Sequence, residues 1–412
     1  AAARCEAQVG LAPCLPAPWQ EKALGGALEC LNQVHHARAS LLLAAMAPHL
    51  PSGLQERAVA LAEAQPDSRS RVSALTALLP HLSPDYREPI ADRALRATLL
   101  IRSEASRAEA ISRLAPHLPA GLVARALSLS QSLSDGRARA AALVGIAPFL
   151  DRGLAADALA AARTIQDERA CAKALAGIAP LLDTAQQKQA LLRVGSLADE
   201  KARAIGLVGL APVLTPGLLP GALADARRIA DARALAVALA GVAPAFDDAG
   251  RAGILAMAAD IPDPGLRLDA LLGLLPCLSE AQQAGAFEAG WRAIQALDDE
   301  RAKVQALARL LAVAGQAQAT PQLAPGNGQM GTAGDARHHQ GLGEALISLA
   351  AIEDPEHRCQ ALAAIAPYLS APLRKEALAT LPLDGQVPAA SLLALMPHLP
   401  SDLQSRAVEQ TL

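Results

Sequence analysis

Aromatic residues are scarce in this chain, at 2% of its 412 positions, whereas 52% of all residues are hydrophobic. Alanine and leucine supply most of the apolar side chains, and such side chains suit helices that pack closely. The longest apolar run, residues 234–246, has 13 residues and contains a glycine and a proline. Spanning a bilayer needs about 18 or more. The sequence therefore predicts a soluble, cytoplasmic protein with no membrane partner.

Paired cysteines, a basic excess and a phosphate-binding loop are also lacking. The six cysteines form no C-x-x-C pair, so no disulfide framework is indicated and a reducing compartment fits best. A net charge of −3 gives no global basic field, which argues against nucleic acid as a partner. No Gly-Lys pair occurs in the chain, and this excludes a Walker-type loop.

What the chain does contain is a repeat, marked by the proline of an Ala-Pro-x-Leu element. The spacing of these prolines is 32 residues at every step from Pro116 to Pro276. Such a period is the signature of a stacked repeat architecture. We predict an all-α fold, a right-handed α-solenoid of about twelve antiparallel helix pairs of about 32 residues each, forming one domain over residues 1–412. The prolines are Pro13, Pro48, Pro80, Pro116, Pro148, Pro180, Pro212, Pro244, Pro276, Pro367 and Pro397.

Each unit resolves into two helices, which we call helix A and helix B. Apolar residues at steps of three and four, such as Leu154, Ala158, Ala162 and Ile165, indicate helix A. Helix B is predicted to begin at an Asp thirteen residues before the proline, where a carboxylate can accept hydrogen bonds from free backbone N–H groups. The proline then predicts a fixed bend or a stop. The Asp residues are Asp67, Asp135, Asp167, Asp199, Asp231, Asp263, Asp299, Asp354 and Asp384.

The residue three positions after the proline is predicted to cap the next helix A, so the links between units are short. Short links make neighbouring helices antiparallel, and the small residues Ala and Gly at contact positions allow them to approach closely. The predicted caps are Ser83, Asp151, Asp183, Thr215, Asp247, Ser279 and Ser370.

Residues 315–343 interrupt the repeat and are rich in Gly, Pro, Gln and Thr, which predicts a flexible insertion. Residues 326–331 fit G-x-G-x-x-G, but no strand leads into them, so a loop is favoured over a dinucleotide site. Asp335, His338 and His339 could gather a metal ion, although a glycine-rich loop gives no preorganised geometry. No cofactor is predicted.

Four histidines directly follow the proline, at His49, His81, His117 and His398. Because they belong to separate units, about 10 Å or more apart, they do not predict a shared metal site. No other arrangement of residues indicates acid–base or nucleophilic catalysis. The sequence therefore predicts no catalytic, cofactor-binding or metal-binding residue.

Arginines early in helix B are the recurring polar feature, and they are the candidate interaction site or structural ladder. In the structural hypothesis their guanidinium groups pair with Asp caps of the same or an adjacent unit. In the functional hypothesis they form a basic stripe that grips an acidic partner. Alternation with Asp and the near-neutral total favour the ladder. The first arginine set is Arg71, Arg107, Arg139, Arg203, Arg267 and Arg358, and the second arginine set, two residues earlier, is Arg69, Arg137, Arg169, Arg233 and Arg301.

The unit R-A-x-A-L-x-x-[IL]-A-P-x-L, as in residues 139–150, resembles the repeats of HEAT-like and TPR-like α-solenoids. More narrowly, it is similar to the C-terminal sensor regions of bacterial NACHT and STAND-type proteins. The Trp, Tyr and Phe positions of TPR units are missing. The resemblance implies a non-catalytic scaffold that binds a protein or peptide, or senses a ligand. Further repeats or an ATPase module of the same parent chain would be additional partners.

The alternative is a HEAT-like enzyme or lyase acting on a protein-bound substrate, as in the di-iron deoxyhypusine hydroxylases and the bilin lyases. The hydroxylases carry paired His-Glu motifs, and this chain contains no His-Glu dipeptide. No marker tests the lyase hypothesis. The chain starts on a helix B without its helix A and stops at 401–412 on a helix A without its helix B. We therefore expect these residues to be an excerpt of a longer chain.

Overall fold

The computed structural model describes residues 2–319, 358–360 and 362–363, which are helical with short connections and contain no strand. The chain divides into two compact units, Ala1–Leu218 and Leu219–Leu412, which we describe separately. Its α-helices are α1 Ala2–Leu11, α2 Ala17–Leu31, α3 His36–Met46, α4 Ser52–Glu63, α5 Ser68–Leu78, α6 Pro84–Thr98, α7 Glu104–Leu114, α8 Ala120–Gln131, α9 Gly136–Ile146, α10 Ala155–Arg163, α11 Glu168–Ile178, α12 Thr184–Gly195, α13 Glu200–Leu210, α14 Leu219–Arg227, α15 Ala232–Val242, α16 Asp248–Ala259, α17 Pro264–Leu274, α18 Glu280–Gln295 and α19 Glu300–Ala319.

The helices of the first compact unit form two layers. Helices B stack in one layer, where each of α3, α5, α7, α9 and α11 contacts the next helix B along the chain, ending at α13. Helices A form the second layer, with α2 on α4, α6 on α8 and α10 on α12. In the second compact unit α15 packs on α17, α17 on α19, and α16 on α18. This confirms the all-α solenoid, while its handedness, the number of repeats and the single domain stay predictions.

The start of helix B is fixed by the predicted side-chain caps. The carboxylates of Asp67, Asp167, Asp231 and Asp263 each accept a hydrogen bond from the backbone N–H three residues later, at 2.7–2.9 Å. Ser103 takes this place in α7, where its hydroxyl accepts from the N–H of Ser106 at 3.3 Å. These caps satisfy N–H groups that have no partner inside the helix. Asp354 and Asp384 lie outside the described residues.

The recurring proline ends helix B, as predicted. Helix α11 stops at Ile178, and Ala179–Leu181 form a single 3-10 turn with the proline inside it. The backbone of Leu182 is then extended, and its N–H donates to the carbonyl of Ala179 at 3.2 Å. Proline has no N–H to continue the α-helical pattern. The next helix A follows at once, where Asp183 and Gln186 form a reciprocal capping box.

The core of the units that end at Pro48 to Pro276 is built from the same two positions of helix B. In these units the residues five and two positions before the proline are large and apolar, and each is at most 1% exposed. Burying one such side chain contributes roughly 1.5–3 kcal/mol. The first position holds Leu43, Leu75, Ile111, Leu143, Leu175, Leu207, Leu239 and Leu271; the second holds Met46, Leu78, Leu114, Ile146, Ile178, Leu210, Val242 and Leu274.

Glycine allows successive helices B to touch. A Cβ atom added to Gly209 of α13 would lie 2.1 Å from Cβ of Ala176 in α11, and one added to Gly145 of α9 would lie 2.3 Å from Cβ of Ser112 in α7. Real Cβ atoms do not approach so closely. The predicted small residues therefore lie at the helix contacts and set their spacing.

The segment predicted as an insertion begins differently from expectation. Helix α19 continues through Ala319, so residues 315–319 are helical and not part of a flexible loop. The rest of that segment, with the G-x-G-x-x-G match and the pair His338 and His339, lies outside the described residues. Among the helices that the structure describes, none combines the length and apolar character needed to cross a membrane.

Candidate interaction surface

The first arginine set closes the link between helix A and helix B of its own unit. The guanidinium group of Arg139 donates two hydrogen bonds to the carbonyl of Leu133, at 2.5 and 2.8 Å, and a third to Oγ1 of Thr164 at 3.0 Å. The equivalent carbonyl, six residues earlier in the chain, is also bound by Arg71, Arg107, Arg203 and Arg267. The bonds run from Arg71 to Gln65 at 2.8 and 3.1 Å, Arg107 to Ile101 at 2.9 Å, Arg203 to Leu197 at 2.6 Å and Arg267 to Ile261 at 2.7 Å.

These bonds correct the predicted pairing of the first arginine set with the Asp caps. Long side chains of a helix point back toward its N-terminus, and this direction carries the guanidinium group of Arg139 past its cap to the carbonyl of Leu133 in the preceding link. Arg203 is 6% exposed, so it is a poor candidate for gripping an acidic partner. Arg358 lies in the helical residues 358–360 and is half-buried.

Two members of the second arginine set, Arg137 and Arg169, form the ladder between units that the sequence predicted for both sets, whereas Arg69 pairs with Glu109 of the next unit at 3.0 Å. Nε of Arg137 lies 2.8 Å from the Asp167 carboxylate, and Nε of Arg169 lies 2.6 Å from that of Asp199. Each carboxylate is the helix B cap of the next unit. The same Asp therefore caps one helix and pairs with an arginine of its neighbour.

A glutamate directly after the cap adds a second link between units, which the sequence reasoning missed. The Glu104 carboxylate accepts from the hydroxyl of Ser134 and the N–H of Asp135, both at 2.6 Å. In the same way Glu168 accepts from the N–H groups of Ala198 and Asp199. The signal was available, because Glu recurs in the same place of these two units.

The caps have shifted acidities. The pKa of Asp167 is lowered because its carboxylate accepts from the N–H of Ala170 and from Arg137, and the pKa of Asp67 is lowered by its hydrogen bonds with Ser70. A carboxyl group with a lower pKa in the folded state stabilises the protein above its unfolded pKa, near 3.9, and loses this contribution as the pH falls through the folded pKa.

We expect the double variant Asp67→Asn, Asp167→Asn to lose less stability on acidification than the parent chain. Asn still caps a helix but does not titrate. Urea unfolding followed by circular dichroism between pH 6 and pH 2.5 measures the difference. Equal losses in the two proteins over this range would contradict the assignment of pH sensitivity to the caps.

One position of helix B is open to solvent and varies from unit to unit. We call it the outer position; it lies seven residues before the proline. Its side chain is exposed or half-buried in every described unit, and it changes between apolar, polar, acidic and basic. In the units that end at Pro48 to Pro276, the residue two positions further along the helix is a buried Leu or Ile. The outer residues are Leu41, Ser73, Glu109, Ala141, Lys173 and Ile205 in the first compact unit, and Val237 and Asp269 in the second.

In later units the position directly after the proline holds other residue types, among them Phe149, which is 40% exposed. Burial, with a smaller effect of His81, lowers the pKa of His117. Within the described parts of the chain no group of three or more His, Cys, Asp or Glu side chains could hold a metal ion.

No protein-family profile and no curated protein sequence matches the chain. Its fold is similar to that of several solved karyopherins. Kap121p bound to Nup53p is 13% identical, with a TM-score of 0.55 over 98% of this chain and 55% of that one. Kap121p bound to the extreme C-terminus of the protein phosphatase Cdc14p is 14% identical, with a TM-score of 0.55 over 98% and 53%. A structure of importin beta is 13% identical, with a TM-score of 0.50 over 95% and 62%.

The present chain spans 53–62% of the length of these three structures. At such low identity the likeness concerns the fold, and it agrees with the arrangement of α3 to α13 as stacked helix pairs. The chain therefore has the fold of an all-α solenoid of stacked helix pairs, similar to that of these karyopherin structures.

Proposed function

We propose that this chain is a non-catalytic scaffold that binds a protein or peptide along the outer positions of its helix B layer. The observation that carries the proposal is the contrast between two positions of the same helix. In the units that end at Pro48 to Pro276 the buried position five residues before the proline is always Leu or Ile, whereas the outer position two residues earlier varies between apolar, polar, acidic and basic side chains. Stacked repeats with a constant core and a varied surface present an extended binding face.

Charge and apolar character are both represented on this face. Leu41 in α3 is 66% exposed, and Lys173 in α11 is an exposed base. In the solved complexes Kap121p binds Nup53p and part of Cdc14p, which supports a protein partner for an array of this kind. A sensor role like that of NACHT-type repeat regions belongs to the same proposal, with the bound partner as the signal.

A matched pair of triple variants tests the outer face. Peptides selected from a random display library against the full chain should bind the variant Leu41→Ser, Ala141→Glu, Lys173→Glu at least roughly tenfold more weakly, because interface centres carry most of the binding energy. The control carries the same three changes on exposed positions of helices A, at Leu192, Ala160 and Lys188. Leu192 is 65% exposed, which matches Leu41.

Affinities from fluorescence anisotropy give the readout, and thermal melts should coincide for the three proteins. Peptides that bind the control as strongly as the parent, and the outer variant more weakly, support the proposal. Peptides that are indifferent to the outer changes, or that lose binding only in the helix A control, would show that the helix B face is not the binding surface.

A further inference from the structure

The place of the first arginine set, nine residues before the proline, holds a different residue in several described units, among them those of Ala39, Cys171 and Leu235. The units of Cys171 and Leu235 differ in what takes the place of the arginine. In the Cys171 unit an arginine from the following helix A takes over, since Nη2 of Arg193 donates to the carbonyl of Ile165 at 3.5 Å. That carbonyl is the one that Arg139 binds in its own unit, at Leu133. The array can therefore supply this guanidinium group from a neighbouring helix.

In the Leu235 unit, neither its own helix B nor the following helix A has an arginine at the equivalent place. The residue equivalent to Arg193, which lies 22 positions later in the chain, is Met257. Both places that carry arginine elsewhere are thus occupied by uncharged, apolar side chains. Around them the second compact unit has an open groove of about 300 Å³, lined among others by Arg227, Leu235, Met257, Asp260, Ile261 and Pro262. We call it the Leu235 groove.

The lining of the groove suits the end of an arginine side chain. Leu235 and Met257 offer apolar contact to a guanidinium plane and its stem. By repeat equivalence, the carbonyl of Ile229 is the one that an arginine at position 235 would bind. The Asp260 carboxylate lies in the lining and is exposed, so it can pair with a cation. Arg227 lies in the same lining and opposes a cation, which makes the position of the guanidinium group critical.

We propose that the Leu235 groove binds an arginine side chain of a protein partner, which takes the place that an internal arginine fills in the units of Arg71, Arg107, Arg139, Arg203 and Arg267. The chain itself provides the precedent, because Arg193 reaches the carbonyl of Ile165 from a different helix. The flat fork of arginine, with several donors, fits a carbonyl and a carboxylate together better than the point charge of lysine. The proposal concerns a different surface from the outer positions, and either can hold without the other.

The test uses the full chain with ¹³C-labelled methionine methyl groups and the pentapeptide Gly-Ser-Arg-Ser-Gly. We expect the Met257 methyl signal, assigned by Met257→Leu, to shift on titration. Peptides with citrulline or lysine in the central place should bind at least roughly tenfold more weakly, because they lack a donor that is both charged and forked.

Two variants place an arginine of the chain itself in the Leu235 groove. Leu235→Arg recreates the arginine of the other units, and Met257→Arg recreates Arg193. Each should abolish binding of the arginine pentapeptide, monitored for the second variant by fluorescence anisotropy, and Leu235→Arg should raise the Tm. If Leu235→Arg fails to fold, as judged by circular dichroism, Met257→Arg decides.

Each of the following results would overturn the proposal: an unchanged Met257 signal with the arginine peptide, equal binding of the citrulline peptide, or undiminished binding by a folded refilled variant. The outer triple variant must bind the arginine peptide like the parent. A loss there would place this peptide on the helix B face and would equally refute the groove as its site.

Discussion

Replacing Gly209 with alanine should destabilise the first compact unit by about 1–3 kcal/mol, the range expected for overpacking a close contact. The added Cβ would lie 2.1 Å from Cβ and 2.8 Å from Cα of Ala176. The second of these atoms is backbone, so no side-chain rotation relieves the clash. Helices α11 and α13 would have to move apart, and this would loosen the buried contacts of Leu175 and Leu207.

The control for this prediction is another helical glycine. Gly253, inside α16, has no atom within 4 Å of an added Cβ. Alanine there should stabilise the protein by about 0.5–1 kcal/mol, because it favours the helix over the unfolded chain. Urea unfolding of both variants provides the comparison. A Gly209→Ala protein as stable as Gly253→Ala would mean that the helices are not held at the observed distance.

The second large effect is expected at Arg139. Arg139→Met keeps much of the aliphatic stem but removes three hydrogen bonds, two of them to the Leu133 carbonyl. Leaving a partly buried acceptor without its charged donor costs about 1.5–3 kcal/mol. We therefore expect a lower free energy of unfolding and faster amide exchange in residues 132–135, which link α8 to α9.

Arg137→Met is the matched control, two residues away in the same helix. Its side chain is 82% exposed and pairs with Asp167 on the surface. Exposed ion pairs contribute little because both groups are well solvated when apart, so its stability should stay close to that of the parent. If the Arg137 variant were the less stable of the two, the surface ladder and not the loop closure would be the main role of these arginines.

The repeat, most boundaries of helix B and its apolar core positions could be predicted from the sequence because each depends on local chemistry. A cap such as Asp167 acts within three residues, and the following proline stops its helix whatever lies around it. The roles of the two arginine sets could not be assigned in this way. Arg137 and Arg139 are the same residue type in the same helix and differ in the direction of their side chains. Arg137 reaches Asp167 of the next unit, whereas Arg139 reaches the carbonyl of Leu133 in its own unit.

The Leu235 groove also could not be predicted from the sequence alone. The sequence displays the missing arginine at Cys171 and Leu235 equally. Only packing shows that Arg193 reaches across in one unit while Met257 borders an open groove in the other. A side chain supplied from 22 residues away is not visible in the pattern of a single repeat.

The contacts of the helix B layer have a further consequence for how such an array can change its length. Gly177 of α11 faces Val144 of α9 as Gly209 of α13 faces Ala176 of α11, so a shift by one period carries each contact onto another of the same kind. Duplicating or excising one period between equivalent positions would therefore join surfaces that already match. Binding faces of different length can therefore arise by duplication or loss of one repeat, without a new kind of contact between helices.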